Sequence, residues 1–331
     1  MKTLLRIVIS GGGGQVGTVL SRHFHAQGHK VVVLARKPSL APWRVVRWDG
    51  EKLGDWTSEL ENADVVINLA GKSVNCRYTE ANRKAIMDSR TGTTRLLDRA
   101  ISGLADPPRL WMNASTATIY RHIYDRPMDE RTGEIGGHEP DAPAKWKFSI
   151  DVATSWEAAF FEAVTPNTRK VALRSAMIMS PDRGGIFDTL LRLVRFGLGG
   201  TAGSGQQFIS WIHDADFLSA IKFVIARQDL AGCVNLSSPN PVPNREFMRA
   251  LRQAWGTRIG LPAAKWMLEL GSSLLRTETE LVLKSRRVVP GRLLEAGFQF
   301  QFPDWPVAAQ NLVGRWRSAG NSKIEIAKTS S

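Results

Sequence analysis

The 331-residue chain is poor in cysteine, tyrosine and acidic residues, and each shortage excludes something. The two cysteines, Cys76 and Cys233, stand far apart. They rule out a disulfide framework, and no Cys-x-x-Cys or paired His/Cys spacing suits a metal. Both read as small buried hydrophobes, because free cysteine is among the most buried residue types. No apolar run reaches the ~18 residues of a membrane span, so no membrane partner is expected. Met1–Ile9 runs straight into a glycine loop, with too short an apolar region for a signal peptide and no small-residue cleavage site. A cytoplasmic location is the default expectation. Lysine and arginine number 44 against 31 acids, a net charge of +13. The excess is spread along the chain, densest at Arg286, Arg287 and Arg292 and at Arg315 and Arg317. Without a lysine-rich arm or finger spacing it argues against nucleic acid and leaves anionic small molecules as partners.

What is present is globular: 43% hydrophobic and 23% charged residues. The length suits about two domains. Strand-like and helix-like stretches alternate over the first 115 residues. Leu4–Ile9, Lys30–Leu34, Arg44–Trp48, Asp64–Leu69 and Arg109–Ala114 read as strands, and Val16–His25 and Glu80–Ile101 as helices, the latter capped by Thr79. Later come a helix over Lys147–Ala163, strands at Lys170–Arg174 and Cys233–Leu236, and helices near Gly184–Phe196 and Asp214–Ala226. This rhythm predicts βαβ units and an α/β fold with a doubly wound parallel sheet. The stretch from Arg121 to Lys145 breaks the rhythm and reads as a long functional loop. After Ser238 the prolines 239, 241 and 243 mark a linker into a mainly helical region: Arg245–Trp255, Ala263–Leu275, Thr277–Lys284 and a short helix after Pro290-Gly291. Residues beyond about Trp316 are polar and read as a frayed end.

Ser10-Gly-Gly-Gly-Gly-Gln-Val-Gly17 lies between the first strand and the first helix. Gly11, Gly14 and Gly17 fit GxxGxxG, and Gly12, Gly14 and Gly17 fit GxGxxG. Strand before and helix after, at the start of a βαβ run, make this a dinucleotide cradle. Glycine lets the backbone approach a pyrophosphate, and the helix N-terminus, with Gln15 and Val16, offers N–H groups to the anion. The second strand ends Leu34-Ala-Arg-Lys37, with no carboxylate for a ribose 2′-hydroxyl. Arg36 and Lys37 stand there instead and suit a 2′-phosphate, which favours NADP(H) over NAD(H).

These motifs together resemble the extended short-chain dehydrogenases. Ser10–Gly17 is similar to their TGxxGxxG loop, and Asn68-Leu-Ala-Gly71 to the turn after the fourth strand that lines the cofactor. Ser115-Thr-Ala-Thr-Ile-Tyr120 is similar to the SSxxVYG stretch, and Trp211-Ile-His-Asp-Ala-Asp216 to the IHVDD segment. Val66–Gly71, Asp88–Arg90, Thr93–Leu97, Gly203-Ser-Gly205, Ser210–His213, Val234–Leu236 and Arg292–Phe298 narrow the resemblance. They resemble an epimerase-like branch with a C-terminal domain of unknown function, sometimes labelled nucleoside-diphosphate-sugar epimerase or cell-division inhibitor. The resemblance covers about residues 4–305. It implies a Rossmann domain over 1–181 and 206–238, a smaller substrate lobe over 182–205 and 239–305, and a C-terminal segment over 306–331. It implies an NADP(H) site that includes Leu69, Ala70 and Gly71. It also implies hydride transfer at a carbinol or carbonyl carbon of a small molecule such as a sugar nucleotide. Relatives pair helices into a homodimer, which nothing in this sequence fixes.

In that superfamily a hydroxyl orients the substrate, a tyrosine moves a proton and a lysine tunes the tyrosine. Thr116 or its neighbour Ser115 supplies the hydroxyl; a strand-end cap is the structural alternative. The Tyr-x-x-x-Lys pair is missing. Counting back from Glu157, which fits the glutamate beyond the lysine, places Ala153 at lysine and Ser149 at tyrosine. Serine is a far weaker acid than phenol, and Ser149 has no base beside it. Tyr120 or Tyr124 could replace the donor, with Lys145 or Lys147 near in sequence. Arg174, at the end of the sixth strand, and His213 are candidate substrate contacts, His213 with a structural role as the alternative. Arg77 and Arg90 suit either an anionic substrate or helix-surface ion pairs. Of the eleven tryptophans, Trp211 and Trp266 fall near the substrate lobe, and core packing is their ordinary role. A non-catalytic NADP(H)-binding regulator is the rival to an enzyme, and predicts a filled or donor-free pocket and an exposed apolar patch.

Overall fold

The structure is a computed structural model that describes residues 4–140, 143, 146–262 and 280–329. Its core is one seven-stranded parallel sheet. The strands are β1 (Arg6–Ser10), β2 (Lys30–Ala35), β3 (Arg44–Arg47), β4 (Val65–Asn68), β5 (Leu110–Thr116), β6 (Arg169–Ser175) and β10 (Gly232–Leu236). Their spatial order is β10-β6-β5-β4-β1-β2-β3. All seven expected strands form and join this sheet. The order reverses beside β1, and such a switch point opens a crevice at the carboxyl ends of the strands.

The strands read as continuous apolar runs because both faces are covered. On one face Ile7, Ile9, Val31, Val33 and Ile67 pack against α1 (Gln15–Ala26) and α5 (Asp214–Ala226) through Leu20, Phe24, Phe217 and Ile221. On the other, Val8, Val32, Val66 and Trp111 meet α2 (Glu80–Ser102) and α3 (Lys147–Phe161) through Leu96, Leu97, Ile101 and Phe160. Alternate residues of one strand thus feed opposite cores, as the two-residue period of a strand requires. Thr79 caps α2 as expected, its hydroxyl accepting from the Asn82 N–H.

A second core forms the smaller lobe. It joins α4 (Ile186–Arg195), α6 (Asn244–Trp255) and the last helix, α9 (Trp305–Thr329), with the short strands β7 (Met177–Met179), β8 (Phe208–Ile209), β9 (Trp211–His213) and β11 (Val242–Pro243). The Phe247 ring lies flat on Trp305 at 3.9 Å, and Trp211 packs edge-on to Trp305. A boundary at 305 is therefore too early: Ala308, Ala309, Leu312, Val313 and Trp316 are buried parts of this core. The polar end expected to fray is helix up to Thr329. Trp211 is likewise a lobe-core residue. Expected features over 263–279, including Trp266 and the helix Ala263–Leu275, lie outside the described residues, as does Lys145. Of the helix expected over Thr277–Lys284, α7 (Glu280–Leu283) is described. A short α8 (Gly291–Glu295) follows.

The segment 284–289 threads through the molecule. Arg286 N–H donates to the Phe208 carbonyl, Met128 N–H to Arg287, and Val289 N–H back to Met128. It thereby ties the long loop after β5 to the lobe. Among the described residues no helix is long and apolar enough to cross a membrane, and no cluster of acids, histidines or cysteines could hold a metal.

Candidate active site

The glycine loop has the form a pyrophosphate cradle needs. Gly11 has φ +69, and a Cβ there would lie 2.7 Å from the Ala70 backbone. A Cβ on Gly17 would lie 2.4 Å from Gly12 Cα, so the helix closes on the loop only with glycine at 17. Gly14 caps α1 with no side-chain bond to its N–H groups, and no acid sits in the first turn. Those N–H groups and the positive helix end are left for an anion. Gln15 Nε2 is buried with no hydrogen-bond partner among the described residues, and the Gln15 side chain lies against Gly185 at the start of α4. Arg36 and Lys37 are exposed just past β2 and take part in no ion pair among the described residues. Leu69, Ala70 and Gly71 follow β4 beside Gly11, with Leu69 N–H bonded to the Ser10 carbonyl. These residues fit a dinucleotide.

Asn68 holds this edge together. It accepts from Ser10 Oγ at 2.8 Å and from the Ala70 N–H, and donates to Asn113 Oδ1 at 2.7 Å and to Thr94 Oγ1. Trp156 Nε1 also donates to Thr94. Buried polar atoms from three strands and two helices are thus satisfied among themselves.

Beyond β5 opens a cavity of about 470 Å³. Ser115, Thr116, Ser149, Trp156, Arg90 and Tyr78 contribute to its wall. Val74, Ile86, Phe148, Val152, Leu190 and Met248 make the rest of the wall largely apolar. Arg90 lies 5.2 Å from the Trp156 ring and donates to the Lys72 and Ile86 carbonyls. It makes no ion pair among the described residues, so the surface-pairing alternative does not apply to it. Arg77 is exposed. Thr116 Oγ1 accepts from the Thr118 N–H, which fixes its side chain, while the Ser115 hydroxyl donates to Glu157 at 2.5 Å.

Three expected site residues turn out to be structural. Arg174 is buried and forks onto Glu157 at 2.7 and 2.8 Å, which leaves no fork for a substrate. Tyr120 is buried with its hydroxyl between Arg174 Nη1 and Asn235 Oδ1. Burial pushes its pKa up to about 12, too high for easy proton transfer near neutrality. His213 caps α5 through Nδ1, lies on the Phe302 ring and bonds Asn311 through Nε2. Burial pulls its pKa down to about 4, so it is a neutral ring in the folded protein. Asp214 forks onto Arg315. Tyr124 is exposed on the loop, and Lys147 pairs with Asp151. The cysteines are half-buried, not fully buried as expected. Burial, and then the Glu157 carboxylate, raise the Cys233 thiol to about 11.

At one of the two degenerate positions the structure corrects the sequence reading. Ala153 is fully buried among Ala117, Ile119, Tyr120, Met128 and Val288, where a lysine would have no room. Ser149 does have an acid–base neighbour: its hydroxyl donates to Glu280 at 2.5 Å, from a residue 131 positions away. Glu280 and Lys284 escaped the sequence reading, and Arg286 entered it only as part of a basic cluster. Their only local signal was the i,i+4 spacing of Glu280 and Lys284, which reads as an ordinary helix pair.

Residues 7–236 match the NAD dependent epimerase/dehydratase family, and residues 263–312 match a domain of unknown function, DUF1731. The chain is 32% identical over 317 residues to the human epimerase family protein SDR39U1, covering 93% of this chain and 100% of that protein. The crystal structure of human SDR39U1 isoform 2 with NADPH superposes with a TM-score of 0.81 at 28% identity, covering 94% of this chain and 99% of that one. A nucleoside-diphosphate sugar epimerase from Corynebacterium glutamicum gives 0.73 at 26% identity over 95% of this chain and 59% of that one. MoeE5, solved with UDP-glucose and NAD, shares the fold with a TM-score of 0.71 at 17% identity, covering 95% of this chain and 99% of that one.

Proposed function

The chain belongs to the NAD-dependent epimerase/dehydratase family, and from that premise we propose that it is an NADP(H)-dependent oxidoreductase. Its substrate is a small carbinol or carbonyl compound, a sugar nucleotide or a similar anionic molecule. One observation carries the reading: a hydroxyl-bearing cavity of about 470 Å³ opens beside the glycine cradle, at the carboxyl edge of the sheet. Thr116 and Ser149 give it polar groups to orient an oxygen, and Arg90 gives it a cation for an anionic group. The NADP preference rests on Arg36 and Lys37 and on the absence of a carboxylate after β2, and the NADPH in the human relative's structure supports it. A bound nicotinamide would supply or accept the hydride; the protein's part is to orient the substrate and move the proton.

The regulatory alternative rests on Ser149 and Ala153, where the family pair is missing. It expects a filled or donor-free pocket and an exposed apolar patch; the open cavity with Thr116 and Ser149 in its wall favours the oxidoreductase. The test is a panel of carbonyl compounds mixed with the full chain and NADPH, followed by loss of the reduced-nicotinamide absorbance. Turnover of at least one, faster with NADPH than NADH, is expected. Tight NADPH binding with no turnover across the panel would leave the regulatory reading standing.

A further inference from the structure

We propose that Ser149 and Glu280 are the proton-handling pair of this cavity, in place of the missing tyrosine and lysine. The inference rests on the oxidoreductase reading above. Ser149 lines the cavity, and its hydroxyl donates to Glu280 Oε2 at 2.5 Å. Glu280 stands behind it, 2% exposed, and among the described residues its Oε1 has no hydrogen-bond partner. Among the described residues, the charged or titratable groups that face this carboxyl come from parts of the chain other than the cradle. Lys284 Nζ is 3.7 Å away and donates to the Thr118 carbonyl; Arg286 Nη2 donates to the Glu280 carbonyl. Glu139 of the long loop faces Lys284, and Tyr78 ahead of α2 faces Arg286. Burial raises the Glu280 carboxyl, against the opposing pull of Arg286, the Ser149 hydrogen bond and Lys284. Burial, with Arg286 beside it, brings Lys284 down to about 8. Burial thus makes the acid keep its proton longer and the amine give its proton up sooner, which brings the two groups closer in proton affinity.

Serine alone cannot move a proton near neutral pH; a serine with a carboxyl behind it can. In reduction, the carbonyl carbon gains a hydride from NADPH and its oxygen takes the Ser149 hydroxyl proton. With Glu280 protonated the hydrogen bond reverses, the carboxyl donating to the Ser149 oxygen, which takes its proton; Glu280 is left as carboxylate and regains a proton from solvent before the next turnover. The C=O π bond breaks while one C–H and one O–H bond form. Oxidation runs the same path backwards. Ser149 is the catalytic residue, and Glu280 acts through it. The segment matched by the domain of unknown function thus completes the site.

The test uses the full chain, NADPH and phenanthrenequinone as carbonyl probe. Ser149→Ala and Glu280→Gln should each slow reduction by about 10²–10⁴-fold, the range for positioned proton transfer. Ser149→Thr, which keeps the hydroxyl, should stay within about tenfold of the parent. The parent rate should fall as pH rises through the Glu280 midpoint, because reduction needs the protonated acid, and Glu280→Gln should lose that limb. A readout without turnover is carbon-13 NMR of glutamate-labelled protein. The resonance absent from Glu280→Gln should titrate above the ordinary glutamate range, and higher still in Ser149→Ala, which lacks the hydrogen bond that favours the carboxylate. Three results would each overturn the pair: a Glu280→Gln rate and pH profile like the parent's, Ser149→Ala faster than Ser149→Thr, or an ordinary glutamate titration. If the parent binds NADPH but does not reduce this probe or the wider panel, the oxidoreductase reading fails first and takes the pair with it.

Discussion

The two ends of the site are built in opposite ways. At the glycine loop, eight consecutive residues from Ser10 to Gly17 make the cradle, and backbone meets backbone with no side chain between. At α3, side chains from residues 131 positions apart make the contact that matters, Ser149 to Glu280. The first end depends on room, and a Cβ at Gly11 or Gly17 fills it. The second depends on charge held out of water, and any uncompensated loss leaves a buried partner exposed to its desolvation cost. Cofactor binding and proton handling are therefore separable, and a change at one end should leave the other largely intact.

The largest expected effect of a substitution on folding lies between the two ends. Glu157→Gln takes away the carboxylate that Arg174 grips, and breaking such a buried pair costs about 3–5 kcal/mol. Denaturant unfolding should show the loss, with NADPH affinity unchanged in the folded protein; a shift under about 1 kcal/mol would show that the pair is not the latch between α3 and β6. Next is pH. The His213 pKa is depressed from 6.5 to about 4 on folding, so the unfolded chain binds the proton first as pH falls. Stability from this group is complete above 6.5 and is lost between 6.5 and about 4, by about 3 kcal/mol at most. His213→Asn, which keeps a capping side chain, should flatten that part of the stability curve; an unchanged slope would remove His213 from the account. Gly17→Ala should cost about 1–3 kcal/mol through the clash with Gly12. NADPH binding should weaken while the Glu280 titration stays put, and a shift in both would mean that the two ends are not separable. The smallest effect is Arg36→Ala, expected to cut NADPH affinity by about tenfold and leave NADH affinity unchanged. Equal losses for both cofactors would refute the 2′-phosphate role.

The sheet was legible because its signals are local. The runs at Ile7–Ile9 and Val31–Leu34 are apolar on both faces, and Thr79 stands where α2 begins. The cradle was legible for the same reason. Arg174 and His213 misled because strand-end and motif positions mark nearness to the site, not the direction of a side chain. Arg174 turns toward Glu157 and His213 toward Asn311. Ser149 looked inert because its partner arrives on a segment that sequence places in another lobe. Nothing in residues 280–286 announces that they pass behind α3. Long-range hydrogen bonds put them there, among them those of Ser285, Arg286 and Val288 to His122, Phe208 and Ser210.

The most direct measurement is a calorimetric titration of the full chain with NADPH and, separately, with NADH. One NADPH per chain, bound at least about tenfold more tightly than NADH, is the expected result. Failure to bind either cofactor would contradict the account at its base, because the cradle, the cavity beside it and the Ser149–Glu280 pair would then have no shared chemistry to perform.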